Sequence, residues 1–103
     1  MTVKLTVIYD NPADPEAFEA HYGTKHAELA AQLPDVLRAE TAKVFPKEDG
    51  SPTPAYRTAD VYFADYATAV AALGSPQGQA VVADVKEIGA AGFKMLLSDV
   101  ETA

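Results

Sequence analysis

A chain of 103 residues with 49% hydrophobic content, no cysteine and a net charge of −7 has the size and composition of one globular domain, residues 1–103. Without cysteine there is no thiol nucleophile, disulfide or iron–sulfur ligand, and the eight basic residues are scattered among 15 acidic ones, which disfavours nucleic acid as a partner. No run approaches the roughly 18 apolar residues that suggest a membrane span, and the opening MTVKLTVIYD is too short and too alternating for a signal peptide, so a cytoplasmic protein is expected.

Residues 3–9 alternate, with Val3, Leu5, Val7 and Tyr9 on one face and Lys4, Thr6 and Ile8 on the other, the period of a strand with one buried face. Asn11-Pro12 ends it. Asp14-Pro15 reads as an N-cap and first helical residue. The spacing of Phe18, Tyr22, Leu29 and Leu33 predicts one amphipathic helix to Leu33, where Pro34 stops it. A second strand is expected over 36–45, and the three prolines and one glycine of 46–54 read as a loop. A third strand over 56–64 places Ala59, Val61 and Phe63 on one face and Tyr56, Thr58, Asp60 and Tyr62 on the other. Helices follow over 65–73 and from Ser75-Pro76 to Ile88, before a last strand from Phe93 to about Val100.

The order β-α-β-β-α-β is the signature of an α+β, ferredoxin-like fold, with a four-stranded antiparallel sheet and its helices on one face. The other sheet face has no helix to cover it. That predicts a homodimer with sheets packed face to face, against the blander reading of a face that is simply half polar.

Tyr9-Asp10-Asn11-Pro12-Ala13-Asp14-Pro15, then Phe18-Glu19-Ala20-His21-Tyr22, Lys25-His26 and Leu33-Pro34, resemble the opening pattern of the EthD family. Ala59-Asp60-Val61-Tyr62-Phe63 and Ser75-Pro76-Gln77-Gly78-Gln79, ending at Ala83-Asp84, resemble that family's third strand and second helical start. The resemblance implies a dimeric α+β barrel holding a small apolar ligand between one chain's sheet and its helices, with no cofactor. Relatives on this fold include cofactor-independent monooxygenases, isomerases and cyclases acting on aromatic or polyketide-like molecules. The chain departs from the pattern at Ala27-Glu28, where Pro-Leu is usual, and at Asp35, where Gly is usual.

His26 follows Tyr22 by four residues and Phe18 by eight, on the apolar stripe. A desolvated imidazole there can serve as acid, base or ligand orienter; the alternative is a core histidine bonded to a backbone carbonyl. The family motif favours the functional reading. His21 lies five residues earlier, so on a regular helix the two rings point about 140° apart. No metal is expected from such a pair, and His21 is expected at the surface or an edge beside Lys25 and Glu28. Asp84 is expected as a solvated carboxylate at the rim of its helix's apolar side, and Asp60 on the interface face, bonded to a tyrosine across it. The expected walls of a pocket are Phe18, Tyr22, His26, Val61, Phe63 and Asp84. No phosphate loop, Ser-His-Asp order or paired-carboxylate motif supports an ATPase, a triad hydrolase or a glycosidase. Two functions remain: a cofactor-independent enzyme of oxidoreductase, isomerase or cyclase type with His26 at its centre, or a non-catalytic module that binds an apolar metabolite or supports an oxygenase system. A lone imidazole in an apolar cavity suits binding, and one paired with a second polar group suits catalysis.

Overall fold

In the computed structural model, which describes residues 2–102, the alternation of the first strand is realised in β1 (Val3–Tyr9), where every odd position is buried. β1 is central in the sheet. It pairs antiparallel with β3 (Arg57–Phe63) on one side and β4 (Phe93–Asp99) on the other, and β2 (Arg38–Lys43) adds to β3, giving the order β2-β3-β1-β4. The register sets Val3, Leu5 and Val7 opposite Phe63, Val61 and Ala59, and Leu5 and Val7 opposite Leu97 and Met95. One sheet face is therefore continuous and apolar, and it takes the helices. The expected α+β, ferredoxin-like arrangement is the one observed. No helix among the described residues is long and apolar enough to cross a membrane.

The first helical region departs from expectation. α1 (Pro15–His21) starts as predicted, with the Asp14 carboxylate accepting from the Ala17 N–H. The single helix expected to reach Leu33 is instead three pieces: α1, a π turn over Tyr22–His26, and α2 (Ala27–Ala30). Within the π turn the Thr24 hydroxyl donates to the Ala20 carbonyl at 2.7 Å, a side-chain bond of the kind that bends helices, and Gly23 beside it adds no side chain to resist the wider turn. Beyond α2, Leu33 enters the core and Asp35 adopts φ 61°. That left-handed conformation favours glycine and is tolerated by aspartate, so Asp35 occupies the family's glycine position in the backbone shape a glycine would take.

β2 is shorter than the expected 36–45, and all of its residues are exposed. α3 (Tyr66–Gly74) and α4 (Pro76–Ile88) meet at Ser75, whose hydroxyl donates to the Ala72 carbonyl at 2.6 Å and accepts from the Gly78 N–H at 3.0 Å. The corner is tight: a Cβ on Gly78 would stand 2.1 Å from the Ala72 carbonyl oxygen and 2.5 Å from that of Leu73. Gly78→Ala should therefore destabilise the protein by about 2–3 kcal/mol in urea denaturation. Gly74→Ala, where a Cβ meets open space, should be neutral or stabilising by up to about 1 kcal/mol.

Candidate functional site

A π turn widens the helix by about one residue per turn, so residues five apart take the relative positions that residues four apart hold in an α-helix. His21 and His26 bracket this turn and converge on one group of α4. His21 Nε2 donates to Asp84 Oδ1 at 2.8 Å, and His26 Nδ1 donates to Asp84 Oδ2 at 2.8 Å. The expectation of diverging rings is corrected by the π turn. The expectation of a solvated Asp84 is corrected as well, since the residue is only 3% exposed. His21, expected at the surface or an edge, is partly buried, and His26 is buried. The Lys25 ammonium stands 3.6 Å from Asp84 Oδ1 and 3.5 Å from Glu87 Oε2.

Burial by itself would raise the Asp84 carboxyl, but the hydrogen bonds and charge of His21 and His26 outweigh it and hold the group below its ordinary range. An ionised carboxylate only accepts, so each facing ring nitrogen carries a proton. In the neutral His26 ring this leaves Nε2 with a lone pair, and Nε2 makes no hydrogen bond among the described residues.

His26 stands in the wall of a cavity of about 390 Å³ between the sheet and the π turn with α2. Its apolar walls include Leu5 and Val7 of β1, Val81 and Val85 of α4, and Val61 and Met95 of the flanking strands. Of the residues expected to form a pocket, Tyr22, His26 and Val61 line this cavity, and Asp84 lies behind His26. Phe63 does not line it: the residue is fully buried opposite Val3. Phe18 backs the wall by stacking on Tyr22 at 5.6 Å and faces a second, more open groove of about 420 Å³ shared with His21, Glu87 and Ile88. The Asp84 carboxylate thus sits between two recesses with one imidazole in each.

Sequence reasoning missed five polar members of the cavity wall: Tyr9, Glu19, Glu40, Thr41 and Arg57. Tyr9 was legible as part of β1's buried face, where it carries the only polar tip. Arg57 and Glu19 gave no sequence signal. The Arg57 guanidinium bonds both Glu19 oxygens, at 2.6 and 3.3 Å, and lies 4.7 Å above the Tyr22 ring. That bond, with another from the Tyr56 hydroxyl at 3.0 Å, holds the Glu19 carboxyl below its usual value. Burial raises the Tyr22 phenol against the opposing pull of Arg57. His21, Asp84 and Glu87 also offer ligand atoms within 4.8 Å of one another, but a divalent cation there would have to displace the Lys25 ammonium.

Residues 10–88 match the EthD domain. The chain is 42% identical over 99 residues to an uncharacterized 11.0 kDa protein of the thcB-thcC intergenic region of Rhodococcus erythropolis, covering 96% of this chain and 95% of that one. Among solved structures, an EthD family protein from Bacillus halodurans superposes with a TM-score of 0.90 at 23% identity, covering 98% of this chain and 100% of that one. SnoaB, a cofactor-independent oxygenase from Streptomyces nogalater, does so with a TM-score of 0.70 at 15% identity, covering 99% and 95%. A dimeric ferredoxin-like protein of unknown function from Jannaschia sp. has a TM-score of 0.70 at 16% identity, covering 97% and 100%. At these identities the structures speak for the shared fold.

Asp84→Asn keeps the volume and removes the charge that both imidazoles bond. Near neutral pH it should cost about 2–3 kcal/mol. Because the folded carboxyl titrates below its ordinary value of 3.8, its contribution is complete above that value and is lost as pH falls through the lower folded one. Urea denaturation across pH should show the gap between wild type and variant closing only below about pH 4.

Proposed function

The chain belongs to the EthD family, and on that premise we propose that it is a cofactor-independent enzyme that binds a small apolar metabolite in the cavity and moves a proton with His26. The observation that carries this reading is the 2.8 Å bond between His26 Nδ1 and the buried Asp84 carboxylate. Asp84 fixes the ring's orientation and tautomer, leaves Nε2 basic, and stabilises the imidazolium formed when Nε2 accepts a proton. A carrier would gain nothing from burying a charge behind its imidazole, because an isolated buried carboxylate is costly. The cavity volume and apolar walls suit a small molecule, with Tyr22 and Val61 against the ligand and Phe18 supporting Tyr22 from behind. Abstraction of an acidic O–H or C–H proton is a first step available to cofactor-free oxygenation, isomerisation and cyclisation alike.

A direct test follows deuterium exchange into 2-tetralone, an enolisable bicyclic ketone, by NMR in D₂O with no cofactor added. The protein should accelerate exchange, and His26→Leu, similar in volume and apolar, should stay folded and lose about 10²–10⁴-fold of the acceleration. Unchanged exchange in His26→Leu would remove the proton-transfer role. Binding of the ketone by wild type without acceleration would return the protein to the carrier class.

The same premise supports a homodimer. The helix-free sheet face mixes apolar Ile8 and the half-exposed Leu96 with Thr58 and Tyr62. Its charges are largely paired within the chain: Asp60, expected to bond a tyrosine across an interface, accepts from Thr6 at 2.5 Å and lies 3.6 Å from Lys4. Packing two such faces should bury well over about 1,200 Å². Thr58→Lys, opposite Ile8 in the sheet, should dissociate the dimer in light scattering at micromolar concentration. A stable folded wild-type monomer would overturn the assignment.

A further inference from the structure

Tyr9 is fully buried and lines the same cavity as His26. Its ring is fixed by edge contacts with Phe18 at 5.2 Å and Tyr22 at 5.8 Å, and Tyr22 in turn stacks on His26 at 5.2 Å. Its hydroxyl is nevertheless the only buried side-chain polar atom among the described residues that has no hydrogen-bond partner. A buried hydroxyl without a partner weakens the folded state, and phenylalanine would keep the packing without that loss. Burial, reinforced by Tyr22 and the Asp84 charge, pushes the Tyr9 phenol far above its ordinary value, so the group stays an O–H donor at neutral pH.

We infer that Tyr9 donates to an oxygen of the ligand, and that the ligand is an apolar molecule carrying one hydroxyl or carbonyl oxygen beside its acidic proton: a phenol or an enolisable ketone. This rests on the proton-transfer reading of His26 and supplies its second half. The proton passes from the substrate to His26 Nε2, the bonding pair stays with the substrate, and the negative charge collects on the phenolate or enolate oxygen. Tyr9 O–H meets that charge, as a preorganised oxyanion donor does. Arg57 is committed elsewhere, bonded to Glu19 and laid over Tyr22. The walls are mostly apolar, with few donors besides Tyr9, so a phosphate or polyol would leave many of its oxygens unpaired in the cavity, which is unfavourable.

Calorimetric titration with 2-naphthol, 2-methoxynaphthalene and naphthalene tests the class. Wild type should bind 2-naphthol about tenfold or more tighter than naphthalene, with 2-methoxynaphthalene, which accepts from Tyr9 but offers His26 no proton, between them. Tyr9→Phe should bind 2-methoxynaphthalene and naphthalene equally, while its urea midpoint stays level or rises. Equal affinity of wild type for all three probes overturns the ligand class and leaves the His26 reading standing, to be judged by its own exchange assay. A lowered urea midpoint in Tyr9→Phe with the oxygen preference intact makes the hydroxyl structural and overturns its role. Binding of none of the three overturns both this inference and the small-molecule cavity on which it rests.

Discussion

The Asp84 carboxylate has to be satisfied inside the protein, and much of the local architecture follows from how that is done. A carboxylate left alone in the interior carries a desolvation penalty of several kcal/mol. Here each oxygen accepts from an imidazole at 2.8 Å, and the Lys25 ammonium lies 3.6 Å from Oδ1. Both imidazoles come from one helical stretch, and a regular α-helix would present only one of them to α4. The π turn over Tyr22–His26 supplies the rotation that brings in the other. The same turn forms part of the cavity wall and stacks Tyr22 on His26, so the shape of the cavity and the satisfaction of the buried charge are a single problem.

Sharing one carboxylate also couples the two recesses. His26 faces the less open cavity and His21 the more open groove, and the two bond different oxygens of the same carboxylate. Lys25 adds a third contact from the solvent side, lying close to both Asp84 and Glu87. A fold shared by many unrelated functions supplies the sheet and helices, while this arrangement of charges belongs to the residues themselves.

Most of the fold was legible because each element announces itself locally. Val3, Leu5, Val7 and Tyr9 alternate with Lys4, Thr6 and Ile8 on the opposite face, Asp14-Pro15 and Ser75-Pro76 are capping pairs, and both caps form as read. The expected β2 is too long because Val36, Leu37, Val44 and Phe45 look strand-like, yet the paired ladder covers only residues 38–43, with the Leu37 and Val44 N–H groups bonding the Tyr62 and Tyr56 carbonyls at its ends. The site was harder to read. Helical geometry of 3.6 residues per turn separates His21 from His26, and the signal against it, Gly23-Thr24 between two histidines, is weak. Once the rings are taken to diverge, nothing draws Asp84 inward, and the rim of the apolar side becomes its natural place. Arg57 and Glu19 lie 38 residues apart and meet only through the sheet, a pairing that no local pattern encodes.

The features that local rules do not favour are concentrated in one place. A helix broken into a π turn, a carboxylate held in the interior and a hydroxyl without a partner each cost stability, and all three belong to the shell of one cavity. Elsewhere the helix N-caps at Asp14 and Ser75 are satisfied, β1 alternates and the core is largely apolar, with the left-handed Asp35 an exception. Sequences depart from local consistency where function requires it. A wall whose only purpose was packing could have been built from leucine, phenylalanine and a straight helix. That the chain keeps a charged, bent and incompletely bonded wall around a mostly apolar space supports the proposal that this space, rather than the open groove on the other side of Asp84, takes a ligand.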